Sequence, residues 1–250
     1  MEKLTSRKNP VCVHLKKLGA NKSYRDEQGC FVCEGTKMFD EAVKSGAQIE
    51  YVLSSEQIKH KLHPDTRAYY AHGDMIDSLS QLKNHQGVLF SCRYIQEKHI
   101  DFRSGTHILL DDIQDPGNVG TIIRSAFAFG IKSVILTGGS ADIYNPKTVR
   151  ASMGALFKQQ VGKVSNDEIF ELKRSGIKFI GTSSSSEFTD IKHIDLNDAI
   201  IVIGNEGRGI SNEIIDICDK KTRIPLSPES ESLNAAVAAS IIMWEASNRA

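Results

Sequence analysis

The sequence predicts an α/β protein with a mostly parallel sheet in its C-terminal part and a smaller α/β domain before it. From residue 105 onward, apolar strand-like segments alternate with helical segments, which is typical of a parallel sheet covered on both faces. Polar, glycine-bearing segments follow several of these strands. Such segments form ligand sites where parallel strands reach the carboxyl edge of a sheet.

A polar and charged connector at residues 96–104 divides the chain into a first domain, 1–95, and a second domain, 105–250. In the first domain we expect a basic helix, then short strands and helices. The helices are expected at Pro10–Leu18 and Thr36–Ser45, and the strands at Cys30–Cys33, Ile49–Leu53 and Val88–Cys92.

The second domain alternates more regularly between the two types of element. Its apolar runs predict strands at His107–Leu110, Ser133–Leu136, Lys178–Thr182, Ala199–Ile203 and Thr222–Leu226. Its 3.6-residue periodicity predicts helices at Asn118–Phe129, Pro146–Leu156, Asp167–Ser175, Asn212–Cys218 and Leu233–Ala250.

The charge distribution is neutral overall but locally basic. The chain of 250 residues has 31 basic and 31 acidic side chains, so its net charge does not indicate nucleic-acid binding. The first 25 residues, however, carry one acid, Glu2, against several bases: Lys3, Arg7, Lys8, Lys16, Lys17, Lys22 and Arg25. This arm could neutralise phosphates, or it could be a solvated basic helix face.

The cysteines and histidines do not indicate a disulfide framework or a metal site. The five cysteines are scattered, and the CxxC pair Cys30–Cys33 lies in a strand-like segment rather than at a helix start, which favours ordinary thiols. The eight histidines include no HxxxH pair, so we expect no metal.

The hydropathy pattern predicts a cytoplasmic protein without a membrane span. No apolar run approaches the roughly 20 residues that cross a bilayer. The first residues, MEKLTSRK, lack the apolar segment of a secretory signal.

Three polar segments carry the candidate chemistry, and two of them contain glycine. The first is DPGNVG at 115–120. Asn118 is expected to cap the following helix, and Gly130 to end it. Arg124, one to two turns into that helix, is well placed to meet a phosphate, although a surface arginine would explain it equally well.

The second segment, GNEGRGIS at 204–211, follows a buried strand but is not a dinucleotide-binding GxGxxG loop. Its carboxylate, Glu206, would repel a pyrophosphate. A cationic or hydroxyl-rich ligand fits better, for example a sulfonium that carries adenosine.

The third segment comprises IPL at 224–226 and ESLN at 231–234, before an alanine-rich helix. Ser232 or Asn234 can cap this helix. Because the helix is apolar nearly all round, it is expected in the core or at a subunit interface.

Together these segments resemble the three motifs of the SpoU (TrmH-type) family of RNA ribose 2′-O-methyltransferases, in the SPOUT superfamily. DPGNVGTIIR at 115–124, IGNEGRGIS at 203–211, and IPL with ESLN resemble motifs one, two and three. NPKTVRASMG at 145–154 is similar to a further family segment. TSRKNP at 5–10, YRDE at 24–27 and FVCEG at 31–35 resemble the family's L30e-like substrate-binding domain.

The resemblance implies a C-terminal trefoil-knotted α/β domain, S-adenosylmethionine as cofactor, a homodimer, and an RNA substrate, ribosomal rather than transfer RNA. It implies a reaction centre lined by Asn118, Arg124, Glu206, Ser232 and Asn234. The implied cofactor residues are Thr137, Gly138, Gly204, Ile224 and Leu233. The implied RNA contacts are Lys8, Lys16, Lys17, Lys22, Arg25 and Arg150.

One departure concerns the loop SPES at 227–230, where the family often has a glycine. The sequence also fits two other functions: a transfer RNA methyltransferase, or a non-catalytic RNA-binding or ribosome-assembly protein with the same fold. A nucleotide-dependent dehydrogenase is disfavoured because the GxGxxG loop is missing.

Overall fold

The computed structural model describes residues 1–80, 86–96, 98–183, 185, 187–230 and 232–248. The contacts divide the chain into two compact units. The first comprises Met1–Gln96 and Tyr144–Phe157, and the second comprises Glu97–Ile143 and Lys158–Ala250.

The strands are short and form two sheets. They are β1 Glu2–Leu4, β2 Cys30–Glu34, β3 Ile49–Ser54, β4 Arg67–Ala71, β5 Val88–Arg93, β6 His107–Asp111, β7 Ser133–Leu136, β8 Gln160–Lys163, β9 Lys178–Thr182, β10 Thr189–Asp190, β11 Ala199–Gly204 and β12 Lys220–Arg223.

The helices of the described residues connect these strands. They are α1 Pro10–Ala20, α2 Lys22–Gln28, α3 Thr36–Lys44, α4 Gly73–Leu79, α5 Pro116–Ala128, α6 Pro146–Ser152, α7 Asn166–Arg174, α8 Asn212–Ile215 and α9 Ala235–Ser247. None of them is both long and apolar enough to cross a bilayer.

The first unit is built on a mixed sheet with strand order β1-β4-β3-β5-β2. Strands β1, β3 and β4 pair in parallel, whereas β5 pairs antiparallel with both β2 and β3. Helix α1 turns its apolar face towards this sheet. The shared core includes Cys12, Leu15, Leu18, Val32, Leu53 and Leu89.

The segment Tyr144–Phe157 belongs to the first unit because its aromatic side chains pack on β2 and the end of β5. The ring centroids of Phe31 and Tyr144 lie 4.7 Å apart, and Tyr94 stacks on Tyr144 at 4.0 Å. Sequence periodicity does not reveal this association because its partners are distant along the chain.

The second unit contains a seven-stranded sheet in the order β10-β12-β9-β11-β6-β7-β8. Every pair in this sheet is parallel, so the predicted mostly parallel sheet is confirmed. The central strands β6, β7 and β11 are buried almost throughout, as expected for a sheet covered on both faces.

Several predicted elements differ from those observed. Strands β1, β4, β8 and β10 and helices α2 and α4 were not predicted. The strand expected at Thr222–Leu226 is β12, which starts and ends earlier. The helix expected at Pro146–Leu156 ends at Ser152 because Met153 and Gly154 adopt φ of 50° and 87°, which an α-helix does not accommodate.

Candidate active site

Helix α5 begins at Pro116, two residues earlier than predicted, and Asp115 caps it. The Asp115 carboxylate accepts hydrogen bonds from the backbone N–H groups of Gly117 at 2.6 Å and Asn118 at 3.0 Å. The prediction that Asn118 is the N-cap is therefore wrong. A carboxylate at this position also interacts favourably with the helix dipole. The Asn118 side chain is left available for other contacts.

Asn118 joins the three predicted motifs. Its Nδ2 donates to Glu206 Oε1 at 2.7 Å, and its Oδ1 accepts from Asn234 Nδ2 at 3.1 Å. Asn234 Oδ1 in turn caps α9 by accepting from Ala236 N at 2.9 Å. The side chains Asn118, Glu206 and Asn234, far apart in sequence, thus form one polar chain, referred to below as the Asn–Glu–Asn chain.

The loop that carries Glu206 is fixed to the end of β6. Asn205 and Gly209 exchange backbone hydrogen bonds of 3.0 and 2.9 Å, which close the turn around Glu206. Asn205 Nδ2 donates to the Asp112 carbonyl at 2.8 Å, and Ser211 N donates to Asp111 Oδ2 at 2.7 Å. These contacts hold the Glu206 carboxylate against the start of α5.

Two charged side chains strengthen this attachment. Arg208 forms an ion pair with Asp112, whose φ of 58° is unusual for a residue other than glycine. Sequence reasoning missed Asp111, Asp112 and Arg208. The position of both aspartates directly after the strand His107–Leu110 is the signal that could have identified them.

Gly204 is required by the close approach of two backbone segments. It lies opposite Asp111 in the β11–β6 pair, and a Cβ on it would stand 2.2 Å from the nitrogen of Ile210. Any larger residue would push the glycine-rich loop away from the sheet.

The other predicted cofactor residues lie at the carboxyl ends of strands β7 and β12 or just before α9. Thr137 is buried, and its Oγ1 accepts from Asp112 N at 3.0 Å. Gly138 is exposed, with no atom within 4 Å of a Cβ placed on it, so its backbone is accessible. Ile224 and Leu233 are half-buried apolar side chains.

Arg124 and Ser232 are not joined to the Asn–Glu–Asn chain. Both are exposed, and neither has a hydrogen-bond or ion-pair partner within the described ranges. Arg124 projects from the middle of α5 and Ser232 precedes α9. Glu231, in the third motif, lies outside the described residues.

Most of the predicted RNA contacts are exposed, and one is not. Lys8, Lys16, Lys17 and Lys22 lie on the surface of the first unit, and Arg150 is exposed in the last turn of α6. Arg25, in contrast, is 3% exposed, and its Nη1 donates to the Leu18 carbonyl at 2.8 Å. Arg25 therefore fixes the end of α1, and its prediction as a phosphate contact is wrong.

The cysteines are thiols in packed surroundings. Cys30 lies in β2 and its Sγ donates to Glu50 Oε2 at 2.8 Å, and burial is the main cause that raises its pKa to about 12. Burial also raises the pKa of Cys33 well above its ordinary value. Within the described part of the chain, no group of three or more His, Cys, Asp or Glu side chains is arranged to hold a metal ion.

Two family models match the chain. Residues 105–244 match the SpoU rRNA Methylase family, and residues 9–89 match the MRM3-like substrate binding domain. The chain therefore belongs to the SpoU rRNA methylase family, and the family predicted from the three motifs is confirmed.

Two relatives support the same classification, one of them over nearly the full length of the chain. The chain is 31% identical to the 23S rRNA (guanosine(2553)-2′-O)-methyltransferase RlmP of Bacillus subtilis, covering 98% of both chains. It is 39% identical to a 23S rRNA (uridine(2479)-2′-O)-methyltransferase of Streptomyces viridochromogenes, over 56% of this chain and 51% of the relative.

Solved structures share the fold of both units. An AdoMet-bound rRNA methyltransferase from Sinorhizobium meliloti is 27% identical with a TM-score of 0.89, covering 99% of this chain and 98% of the other. The SpoU methyltransferase AviRb from Streptomyces viridochromogenes, in complex with AdoMet, is 28% identical with a TM-score of 0.85, covering 97% and 98%.

Proposed function

We propose that this protein transfers a methyl group from S-adenosylmethionine to a ribose 2′-hydroxyl of ribosomal RNA. The reaction class and the cofactor follow from membership of the SpoU family and from its AdoMet-bound structural neighbours. The observation that carries the assignment of the site is the Asn–Glu–Asn chain, because it connects all three motifs. Ribosomal RNA is preferred because the relatives named above act on 23S rRNA.

The residues at the carboxyl edge of the sheet fit the cofactor. Half-buried Ile224 and Leu233 suit an adenine ring, and the open backbone of Gly138 offers hydrogen bonds. The Glu206 carboxylate suits a sulfonium cation. When bound, S-adenosylmethionine supplies an activated methyl group. Thr137 stabilises this edge because its Oγ1 accepts a hydrogen bond from the Asp112 N–H.

The protein's own task is to position and activate the ribose. Asn118 and Asn234 are held by Glu206 and by the start of α9, so their amides are oriented before RNA binds, which reduces the barrier to reaction. Ser232, exposed beside Asn234 along the chain, is assigned to the ribose hydroxyl.

Arg124 is assigned to the RNA phosphate next to the target ribose and to the developing alkoxide. Its exposure, and its lack of an internal partner within the described ranges, support this role because the guanidinium is available to an external anion. An arginine does not give up its proton in proteins, so a phosphate oxygen is the proposed proton acceptor.

A homodimer is the proposed assembly. Helices α5 and α9 pack together through a 2.8 Å hydrogen bond between Ser125 and Ser240, and they leave large apolar side chains on the surface. Val237, Ile241 and Trp244 form one stripe of α9 and are 48%, 37% and 51% exposed. A contiguous apolar stripe of this kind is expected to be covered by a second subunit.

The remaining features follow from the family. The second domain, 105–250, is proposed to contain a trefoil knot. The first, 1–95, is proposed to bind RNA through Lys8, Lys16, Lys17 and Lys22, with Arg150 as a further contact. We propose that the enzyme works in the cytoplasm, without a metal.

The decisive test is labelled methyl transfer into ribosomal RNA from cells that lack the protein, followed by mapping of the 2′-O-methyl site. Arg124→Ala should abolish transfer while the affinity for S-adenosylhomocysteine changes by no more than a few-fold. Arg174→Ala, which removes an exposed arginine from α7, is the matched control and should remain active. Substantial turnover by Arg124→Ala would overturn its role, and no transfer to any RNA by the wild type would favour a non-catalytic RNA-binding protein.

A further inference from the structure

The first unit contains a polar and aromatic cavity that the methyl-transfer site does not use. Its volume is about 580 Å³, within the range of sites that hold small organic molecules. It lies between the start of α1, helix α2 and one face of the sheet. Its lining includes His14, Tyr24, Tyr51, Arg67, Tyr69 and Arg93.

The floor of this cavity is set by strand register. Tyr51 stands opposite Arg67 of β4 and Ser91 of β5, and Cys30 stands opposite Arg93. Tyr51 therefore stands beside Arg67, and Arg93 lies on the same face of the sheet, two residues beyond Ser91 along β5. An aromatic ring beside cationic side chains is the combination that binds unpaired nucleobases and their phosphates.

One wall is an aromatic cluster around His14. The His14 ring contacts Tyr24 and Tyr51 edge-on, with centroids 5.6 and 5.5 Å away. Its Nδ1 shares a 2.9 Å hydrogen bond with the Tyr24 hydroxyl, while its buried Nε2 has no partner among the described residues. The hydrogen bond and the edge-on contacts fix these three rings as one wall of the cavity.

The two arginines of the cavity differ in their hydrogen-bond and ion-pair partners. Arg93 forms an ion pair of 2.5 Å with Glu50 and donates to the Gln28 carbonyl, so it is fixed in place. Arg67 is exposed and has no hydrogen-bond or ion-pair partner within the described ranges, which leaves its guanidinium available to an anion.

The surroundings favour a polynucleotide over an isolated small molecule. Lys17 of the basic arm lies 5.3 Å from the centroid of the Tyr24 ring, so positive charge borders the cavity. A second cavity, of about 820 Å³, shares Glu50, Tyr51, Arg67 and Arg93 with the first and extends to Lys61. A strand longer than one nucleotide therefore has room to continue.

We propose that this cavity binds one unpaired nucleotide of the RNA substrate, with its base against Tyr51 and His14 and its phosphate on Arg67. This inference rests on the proposed function, since it takes the ligand to be the RNA that the enzyme methylates. It assigns recognition of a single-stranded nucleotide to a defined pocket, whereas the lysines of α1 supply affinity that does not depend on the base.

The test measures binding of labelled ten-nucleotide A, C, G and U homopolymers, and of a fully paired hairpin, to the full chain. The wild type should bind at least one homopolymer more tightly than the hairpin. Tyr51→Ala should weaken that binding about 5- to 150-fold, the range for loss of one base stack. Arg67→Ala should also weaken it, and the fold should be retained because the Arg67 side chain is exposed. Arg174→Ala, on α7 of the other unit, is the charge-matched control and should bind as the wild type.

The outcomes separate this proposal from the proposed function. S-adenosylhomocysteine affinity should be unchanged in all variants, and methyl transfer to ribosomal RNA should show a raised KM with an unchanged kcat. Equal homopolymer binding by wild type, Tyr51→Ala and Arg67→Ala would overturn the pocket while leaving the enzyme assignment intact. The pocket would also be overturned if the wild type bound no homopolymer. It would be overturned as well if a free mononucleotide displaced the RNA at micromolar concentration. Pocket-dependent RNA binding without any methyl transfer would instead overturn the enzyme assignment alone.

Discussion

Replacement of Gly204 by alanine should open the loop that carries Glu206. The added methyl carbon would lie 2.2 Å from the Ile210 nitrogen and 2.3 Å from the Gly209 carbonyl carbon. Favourable contacts between such atoms lie at about 3.5–4.0 Å. Both obstacles are backbone atoms, so no side chain can rotate away, and the turn between Asn205 and Gly209 must separate from β11.

The magnitude follows from what the opening breaks. The two backbone hydrogen bonds that close the turn, 3.0 and 2.9 Å long, are each worth about 1 kcal/mol. Residual overpacking adds about 2 kcal/mol, so the expected loss in the free energy of unfolding is about 4 kcal/mol. For a chain of this size that corresponds to a fall in Tm of about 8–16 °C.

Gly207→Ala is the matched control on the same loop. A methyl group there would meet only Asn205 Oδ1 at 3.7 Å, an ordinary contact, so the expected loss is below about 1 kcal/mol. Thermal unfolding and calorimetric titration with S-adenosylhomocysteine should both separate the two variants, because opening the loop also displaces Glu206. If Gly204→Ala keeps the Tm and cofactor affinity of Gly207→Ala, the account of this loop is wrong.

Three further predictions concern other parts of the second unit. Asn118→Ala should lower kcat about 100-fold because the amides of the Asn–Glu–Asn chain lose their fixed orientation, while the free energy of unfolding falls by only about 1 kcal/mol. Trp244→Asp should yield monomers in light-scattering chromatography, because it places a charge in the apolar stripe of α9. Burial lowers the pKa of His107 from its ordinary value of 6.5, so the folded state favours the neutral ring. The stability contributed by neutral His107 is present above pH 6.5 and is lost as the pH falls below that value. In chemical denaturation, His107→Gln should therefore reduce the loss of stability at acid pH.

Each of these predictions has a contrary result. Near-normal turnover by Asn118→Ala would show that the Asn–Glu–Asn chain has no role in catalysis. A dimeric Trp244→Asp variant would place the subunit interface elsewhere. An identical stability profile between pH 5 and 7 for wild type and His107→Gln would assign the acid sensitivity to other groups. Ser247→Ala, at the end of α9, is a control for the interface variant because the Ser247 hydroxyl donates to the Trp244 carbonyl of its own helix.

The regular strands of the second unit were predictable because their signal is local. Strands β6, β7, β9 and β11 lie within a residue of the predicted limits, since a parallel strand buried on both faces is a continuous apolar run. The strands β4 and β8 were missed because they carry polar and half-buried residues. Their position is decided by pairing with neighbouring strands, which periodicity does not show.

The candidate site was also predictable only in part. Glycine, asparagine and glutamate at strand ends were recognisable from the sequence and led to the family. The partners of these side chains were not. Asp115 rather than Asn118 caps α5 because its carboxylate accepts the N–H groups of Gly117 and Asn118, so the helix begins at Pro116. Arg25 proved to be internal because the end of α1 offers it a carbonyl.

The order of residues along the chain by itself determined the fold class, the three motifs and, through them, the family and its cofactor. These properties depend on periodicity and on residue type at fixed spacing, which are both local. Only the tertiary structure decided that Asn118 bridges Glu206 and Asn234, that Arg208 pairs with Asp112, and that Tyr51 stands between Arg67 and Ser91. Contacts of this kind arise from strand register and loop closure, which bring together side chains that no local pattern connects.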